Sequence, residues 1–268
     1  QTPLECIEIT IATNPPFEAS LLSQKLTEFA RSEGVDVIVQ EDCVTRKEKG
    51  LIALDMDSTL IQVEVIDELA KEAGIGDAVA SITHRAMNGE LNFKESLQQR
   101  VGLLKGLPVT VLKQVYDRIP YTPGAALLLS FLKKQGCKTA VLSGGFDYFT
   151  LRVKDVLQLD YAYSNRLEIK NGHLTGKIVG EIVNGEKKAI LLEEIANKEG
   201  LSLDQVIAIG DGANDLPMIK RAGLGIAFKA KPAVRAAAKH SITQESLISV
   251  LYVLGFSEEE IKTFSLEN

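Results

Sequence analysis

The chain has 268 residues, 45% of them hydrophobic and 25% charged, a balance that suits one large globular domain, or a large one with a small companion, and excludes a disordered or collagen-like chain. Thirty Lys and Arg against 36 Asp and Glu leave a formal charge of −6, with no basic block able to follow a phosphate backbone, so nucleic acid is not an expected partner. Apolar runs such as Ala125 to Leu132 fall short of the roughly 18 to 20 residues of a membrane-crossing helix, so no membrane is expected either.

The three cysteines, Cys6, Cys43 and Cys137, form no CxxC pair, which argues against a disulfide framework or a thiolate zinc site and for a reducing, cytoplasmic setting. No basic-then-apolar leader is legible from Gln1 onward, and the missing initiator Met leads us to expect that something upstream was removed.

In chain order, Leu4 to Ala12 roughly alternates apolar and polar, Phe17 to Glu33 has helical spacing, and Val35 to Gln40 is a short β-branched run after Gly34. This pattern predicts a small β-α-β extension over residues 1–45. It holds no chemically distinctive residue, so a structural or homodimer contact and a regulatory role both stay open for it. The charged run Arg46 to Lys49 reads as a linker into a larger domain spanning residues 46–268. Gly50 to Leu54 is continuously apolar, as a strand buried in a parallel sheet would be, and leads directly into Asp55.

From Val65 to Arg118 the spacing is helical, with breaks at Gly74 to Asp77, Asn88-Gly89 and Leu107-Pro108, which predicts a helical insertion at about 65–120. Pro123-Gly124 opens a helix through Lys134; Lys138 to Leu142 is a second apolar strand, ended by Ser143-Gly144-Gly145. Asn171-Gly172, between two strand-like runs, predicts a hairpin over Leu167 to Val179. Val206 to Ile209 is a third apolar strand, followed by Gly210-Asp211-Gly212. Strands alternating with helices predict an α/β fold: a doubly wound parallel sheet with right-handed crossovers and a helical cap.

Ligands of such sheets bind beyond the carboxyl ends of the strands. There the first strand meets Asp55-Met56-Asp57-Ser58-Thr59, where two carboxylates two residues apart in extended backbone point the same way and repel unless a cation or a proton intervenes. The third meets Gly210-Asp211-Gly212-Ala213-Asn214-Asp215. Acidic oxygens without His or Cys suit a hard cation, with Mg²⁺ the expected one. Ser143-Gly144-Gly145 offers a hydroxyl and unhindered N–H groups suited to phosphate oxygens, and Lys188, ahead of the apolar stretch Ile190 to Ala196, can bring an ammonium to the same pocket.

These four segments, in this order and with a helical insertion after the first, resemble the motifs of the haloacid dehalogenase superfamily of HAD-like hydrolases. The stretch Asp55 to Leu60, Glu64, the segment Met87 to Phe93 with Arg100, and the Val141 to Phe146 and Gly210 to Asp215 segments resemble more closely its phosphoserine phosphatase family, over about Gly50 to Phe256. Residues 1–45 are similar to part of the ACT-like extension of longer members.

The resemblance implies a Rossmann-like core and Mg²⁺-dependent hydrolysis of the small-molecule substrate phosphoserine through an aspartyl-phosphate, the last step of serine biosynthesis. It makes Asp55 the nucleophile and Asp57 the general acid–base. It gives Mg²⁺ to the Asp55 and Asp211 carboxylates and the Asp57 carbonyl, with Asp215 behind them. Ser143, Gly144 and Lys188 take the phosphoryl oxygens, with Asn214 assisting; Arg100 and Glu64 take the substrate's carboxylate and ammonium, and Met87 and Phe93 close the site. A phosphotransferase or another small-molecule phosphatase using the same Asp55 chemistry is the alternative. A phospho-accepting signalling module has no use for Asp57 or a cap, and an amino-acid binder would use residues 1–45 alone.

Overall fold

The computed structural model describes residues 6–11, 22, 25–26, 29–30, 33–40 and 46–267. At its centre is β1 (Leu51–Leu54), parallel to β2 (Lys138–Phe146) on one side and β5 (Val206–Gly210) on the other. Beyond β2 lies β3 (Tyr161–Lys170), parallel, and then β4 (His173–Val179), antiparallel across the Asn171-Gly172 turn; beyond β5 lie β6 (Leu224–Phe228) and β7 (His240–Ile242), both parallel. The sheet order β4-β3-β2-β1-β5-β6-β7 puts the point where the chain changes direction between β1 and β5. A crevice opens at such a point, and both acidic segments emerge into it.

The strands are apolar throughout because both faces are covered. Ile52 and Leu54 pack in one core with α5 (Ala125–Lys134), α6 (Asp147–Leu157) and α10 (Ser249–Val253); Leu51 and Ala53 pack in the other with α7 (Gly185–Lys198) and α8 (Leu216–Arg221). Between β1 and α5 the chain leaves to form α1 (Val65–Glu72), α2 (Gly76–Met87), α3 (Phe93–Leu103) and α4 (Val109–Tyr116). Departure and return are joined by an antiparallel bridge between Ile61 and Tyr121, flanked by Gln62 N donating to Pro120 O at 2.9 Å and Thr122 N to Leu60 O at 3.0 Å. Such a paired neck fixes where the helical layer stands over the sheet. The remaining α-helices among residues 46–267 are α9 (Pro232–Ala237) and α11 (Glu258–Glu267).

Two expectations change. Ser143-Gly144-Gly145 does not end β2; the strand runs on to Phe146, and between the Leu142–Tyr163 and Phe146–Asn165 pairs four residues of β2 advance against two of β3. Glycines without Cβ let the strand bulge there, which lifts the segment out of the ladder toward the crevice. In the extension, the described residues Leu22, Lys25, Leu26, Phe29, Ala30 and Glu33 are helical, but neither Cys6 to Ile11 nor Val35 to Gln40 joins a strand. Ile7, Ile9 and Ile11 are 71%, 75% and 62% exposed, so alternation here has no second layer to bury it. Val35 to Gln40 is held by side chains instead: Asp36 accepts from Thr243 N at 2.7 Å, and Gln40 Nε2 donates to Val253 O at 2.7 Å. The rest of the expected β-α-β piece lies outside the described residues.

His240 on β7 is buried, and that burial together with the Lys239 charge depresses its pKa from 6.5 to about 4. A depressed histidine pKa means that the unfolded chain takes up a proton first as pH falls. Its contribution is therefore present above pH 6.5 and lost between there and about 4. At about 1.36 kcal/mol per pKa unit, lowering the pH from 7.5 to 5 costs about 2 kcal/mol through this group. Urea unfolding at the two pH values should show the loss in the unaltered protein and a smaller one in His240→Gln.

Candidate active site

Asp55 follows β1 directly, its N–H held by Ile209 O of β5 at 2.9 Å, which fixes it at the mouth of the crevice. Its buried carboxylate accepts from Lys188 Nζ at 2.6 Å, and the same ammonium donates to Asp215 Oδ1 at 2.7 Å. Lys188 reaches this point from the first turn of α7, whose start is fixed by Asn184 Oδ1 accepting from Lys187 N at 2.9 Å. Burial alone would lower the Lys188 pKa, but the Asp215 and Asp55 charges outweigh it and raise it, so the ammonium is permanent.

Carboxylate oxygens of Asp55, Asp211 and Asp215 lie within 4.8 Å of one another. Three acids around one ammonium leave an excess of negative charge. Burial and the Asp215 charge push the Asp211 carboxyl up to about 7, and burial with Asp215 raises Asp55 as well. Hard oxygens at this density, with no His or Cys among them, fit a divalent cation, which would return the acids to their ionised forms.

Asp57 and Gly145 face each other closely: a Cβ on Gly145 would stand 2.7 Å from Asp57 Oδ2, so only glycine fits there. The Asp57 carboxylate accepts from Val65 N at 3.1 Å at the start of α1, while burial and the neighbouring Glu64 raise its pKa well above the ordinary range. Burial and Glu64 thus favour the protonated form that a general acid needs. Ser58 adopts a left-handed φ of 55°, uncommon for a residue with a side chain, and its hydroxyl donates to Glu64 Oε1 at 2.7 Å. Thr59 Oγ1 donates to Asp211 Oδ1 at 3.3 Å. Both hydroxyls of the segment thus orient an acid.

Buried Ser143 accepts from Gly145 N at 2.8 Å, which leaves its own O–H to donate elsewhere. Asn165, 1% exposed on β3, donates through Nδ2 to Gly144 O at 2.8 Å and accepts at Oδ1 from Val183 N at 2.8 Å. The Gly144–Gly145 peptide is therefore clamped at its carbonyl by Asn165 and at its N–H by Ser143. From the helical layer, the Phe93 ring covers Gly144, where a Cβ would come within 2.9 Å of Cζ. Phe93 opens α3, whose Asn92 cap and Glu95 bond each other's backbone N–H at 3.0 and 2.9 Å.

Arg100, also on α3, is partly buried and makes no ion pair among the described residues. Burial lowers its pKa, and the charges of Asp67, Glu64 and Asp57 oppose the shift. A partly buried guanidinium with no ion-pair partner among the described residues has donors available for an anion. Met87 is 63% exposed with Sδ 3.9 Å from Lys231 Nζ, and Asn214 lies against Gly212 without a hydrogen bond to Lys188.

A mostly parallel α/β sheet with buried aspartates, a lysine and a clamped glycine loop gathered at its switch point holds the groups that phosphoryl transfer uses. The chain belongs to the haloacid dehalogenase-like hydrolases, whose family model matches residues 52–220. Among its relatives, the phosphoserine phosphatase of Archaeoglobus fulgidus is 52% identical over 242 residues, 90% of this chain and 70% of that one. That of Lactococcus lactis is 49% identical over 203 residues, 76% of this chain and 94% of that one. Among solved structures, a HAD family hydrolase from Salmonella enterica serovar Typhi superposes with a TM-score of 0.83 at 40% identity, covering 87% of this chain and 80% of the other. A phosphoserine phosphatase solved as a phospho-aspartyl intermediate analogue does so with a TM-score of 0.72 at 46% identity, covering 76% and 98%. Among the described residues, no helix is long and apolar enough to cross a membrane.

Proposed function

We propose that the protein hydrolyses O-phosphoserine to serine and phosphate with Mg²⁺ bound by Asp55, Asp211 and the Asp57 carbonyl, Asp215 supporting from behind. The observation that carries the reading is the buried Asp55–Lys188–Asp215 bridge, with Asp57 against Gly145 in the clamped Gly144 loop. The names of relatives about 50% identical over most of the chain support the choice of substrate. The cation would neutralise the crowded carboxylates and the phosphoryl charge.

In the first step an Asp55 oxygen bonds to phosphorus as the bond from phosphorus to the seryl oxygen breaks, and Asp57 delivers its proton to that oxygen. Asp57, now ionised, takes a proton from water, which attacks phosphorus and frees the Asp55 carboxylate and phosphate. Lys188, the Ser143 hydroxyl and the Gly144 N–H hold the phosphoryl oxygens, with Asn214 assisting; Phe93 covers the loop and Met87 closes the rim. The same reading makes residues 46–268 the catalytic domain, α1–α4 its cap and 1–45 an extension, in a cytoplasmic setting.

Selectivity for serine falls to Arg100 and Glu64, the first meeting the carboxylate and the second the ammonium. A hydrogen bond to a charged group contributes roughly 1.5–3 kcal/mol, so Arg100→Ala should lower kcat/KM for phosphoserine about ten- to a hundredfold. Phosphoethanolamine, which lacks the carboxylate, should scarcely respond. Assays of both esters and of phospholactate, with and without Mg²⁺, test the reading. A common loss on all three substrates would leave Arg100 a structural support, and full activity in chelator would remove the metal.

A further inference from the structure

We propose that the β3–β4 hairpin is the positioning element that sets where Arg100 stands relative to the phosphate loop, with Gly176 as its critical residue; this rests on the reading that Arg100 meets the substrate carboxylate. The tip of the hairpin is bonded to the segment between α3 and α4 as one further rung of sheet. Gly106 N donates to Leu174 O at 2.8 Å, Leu174 N to Leu107 O at 2.9 Å and Val109 N to Gly172 O at 2.9 Å, around a bridge between Pro108 and His173. The expected break of the cap at Leu107-Pro108 is therefore not a free joint.

Above the tip, β4 comes against the end of α3 at Gly176. There φ is 80°, and a Cβ would lie 3.1 Å from both Gly102 O and Lys105 Cβ. Backbone meets backbone at that point because neither residue interposes a side chain, and Leu174, Val101 and Leu104 are buried around it. Gly102 is two residues beyond Arg100 on the same rigid helix, so the depth at which β4 seats α3 is passed on to the guanidinium.

The other strand of the hairpin holds the other half of the pocket. Asn165 on β3 clamps Gly144 O and Val183 N at 2.8 Å each. One two-stranded unit thus grips the loop that receives phosphate and the helix that receives carboxylate. The reach between carboxylate and phosphate on a small substrate is what distinguishes it from shorter or longer phosphomonoesters, and the hairpin fixes the separation of the groups that meet them. Toward the start of α3 the contact opens into a cavity of about 340 Å³ lined by Lys94, Gln98, Ile178 and Gly180. The grip is therefore at the Arg100 end of the helix.

Gly176→Ala adds one methyl at the contact and strains a left-handed residue. We expect kcat/KM for phosphoserine to fall about tenfold or more, through KM, while phosphoethanolamine changes less than about twofold, because only the former uses Arg100. Equal losses on both esters, or no loss, overturn the proposal. If the unaltered protein does not prefer phosphoserine to phosphoethanolamine, the serine reading fails instead, and the two failures are distinct.

Should Gly176→Ala not fold, hydrogen exchange on the unaltered protein decides. The amides of Gly106, Val109 and Leu174 should exchange slowly and equally with Mg²⁺ alone and with Mg²⁺ plus inorganic phosphate. Exchange as fast as in the open loops, or protection gained only with phosphate, would mean that the hairpin does not hold the cap.

Discussion

Replacing Asp55 with asparagine should abolish turnover, by at least about 10⁴-fold for loss of the nucleophile proposed above, and should at the same time raise the melting temperature of the metal-free protein. Both effects have one origin. The Asp55 carboxyl is buried, and burial, Asp215 and Asp211 all disfavour its charge, with Lys188 alone in opposition. An amide of the same shape still accepts from Lys188, whose pairing with Asp215 at 2.7 Å is untouched. It removes one of three crowded acids, but it cannot form the bond to phosphorus. An upward shift of a few degrees is the expected scale, since about 1 kcal/mol moves a chain of this size by roughly 2–4 °C.

Added Mg²⁺ should stabilise the unaltered protein strongly and the asparagine variant weakly, because the variant has lost a ligand. Calorimetry with and without the cation, beside single-turnover assays, checks the set. A variant that is both inactive and less stable would mean that its kinetics report damage to the fold.

Much of this architecture is legible before any coordinates. Gly50 to Leu54 and Val206 to Ile209 read as apolar strands because the observed strands Leu51–Leu54 and Val206–Gly210 are buried on both faces, and the Asn171-Gly172 turn forms the hairpin its residues demand, both in left-handed backbone. Acids that follow apolar strands meet at one crevice for a topological reason that holds for any sheet of this winding.

What sequence reading misses lies in contacts with no local trace. Asn165 is a single amide in a strand, and its partners Gly144 and Val183 are 21 and 18 residues away, so nothing nearby marks it as the clamp on the phosphate loop. Asp67 sits within a helix of ordinary polarity, yet it is the first charge felt by Arg100. Ser143-Gly144-Gly145 looks like a turn because glycine usually makes one; here the same freedom produces a bulge in a continuing strand. The alternation of Ile7, Ile9 and Ile11 marks a strand only if a neighbour covers it, and among the described residues none does.

Asp57→Asn separates protonation from placement. The bond from Val65 N to Asp57 Oδ1, 3.1 Å, needs only an oxygen acceptor, which the amide retains, and the close fit against Gly145 is unchanged in size. What the amide cannot carry is the ionisable proton that burial and Glu64 favour on this carboxyl. An alkoxide such as that of serine leaves badly without a proton, whereas the phenolate of an activated aryl phosphate leaves without help.

General acid–base assistance is typically worth about 10²–10⁴-fold, so phosphorylation of Asp55 by phosphoserine should fall by that order and by the aryl ester far less. In the second half of the proposed cycle Asp57 would take a proton from water, a demand that does not depend on which ester was cleaved. The variant turning over an aryl phosphate should therefore accumulate phosphorylated Asp55, visible as one added phosphoryl group on the intact protein after rapid acid quenching. Equal losses for both esters with no accumulation would mean that Asp57 acts by shaping the acidic cluster, and the proton donor would have to be sought among the other groups facing Arg100.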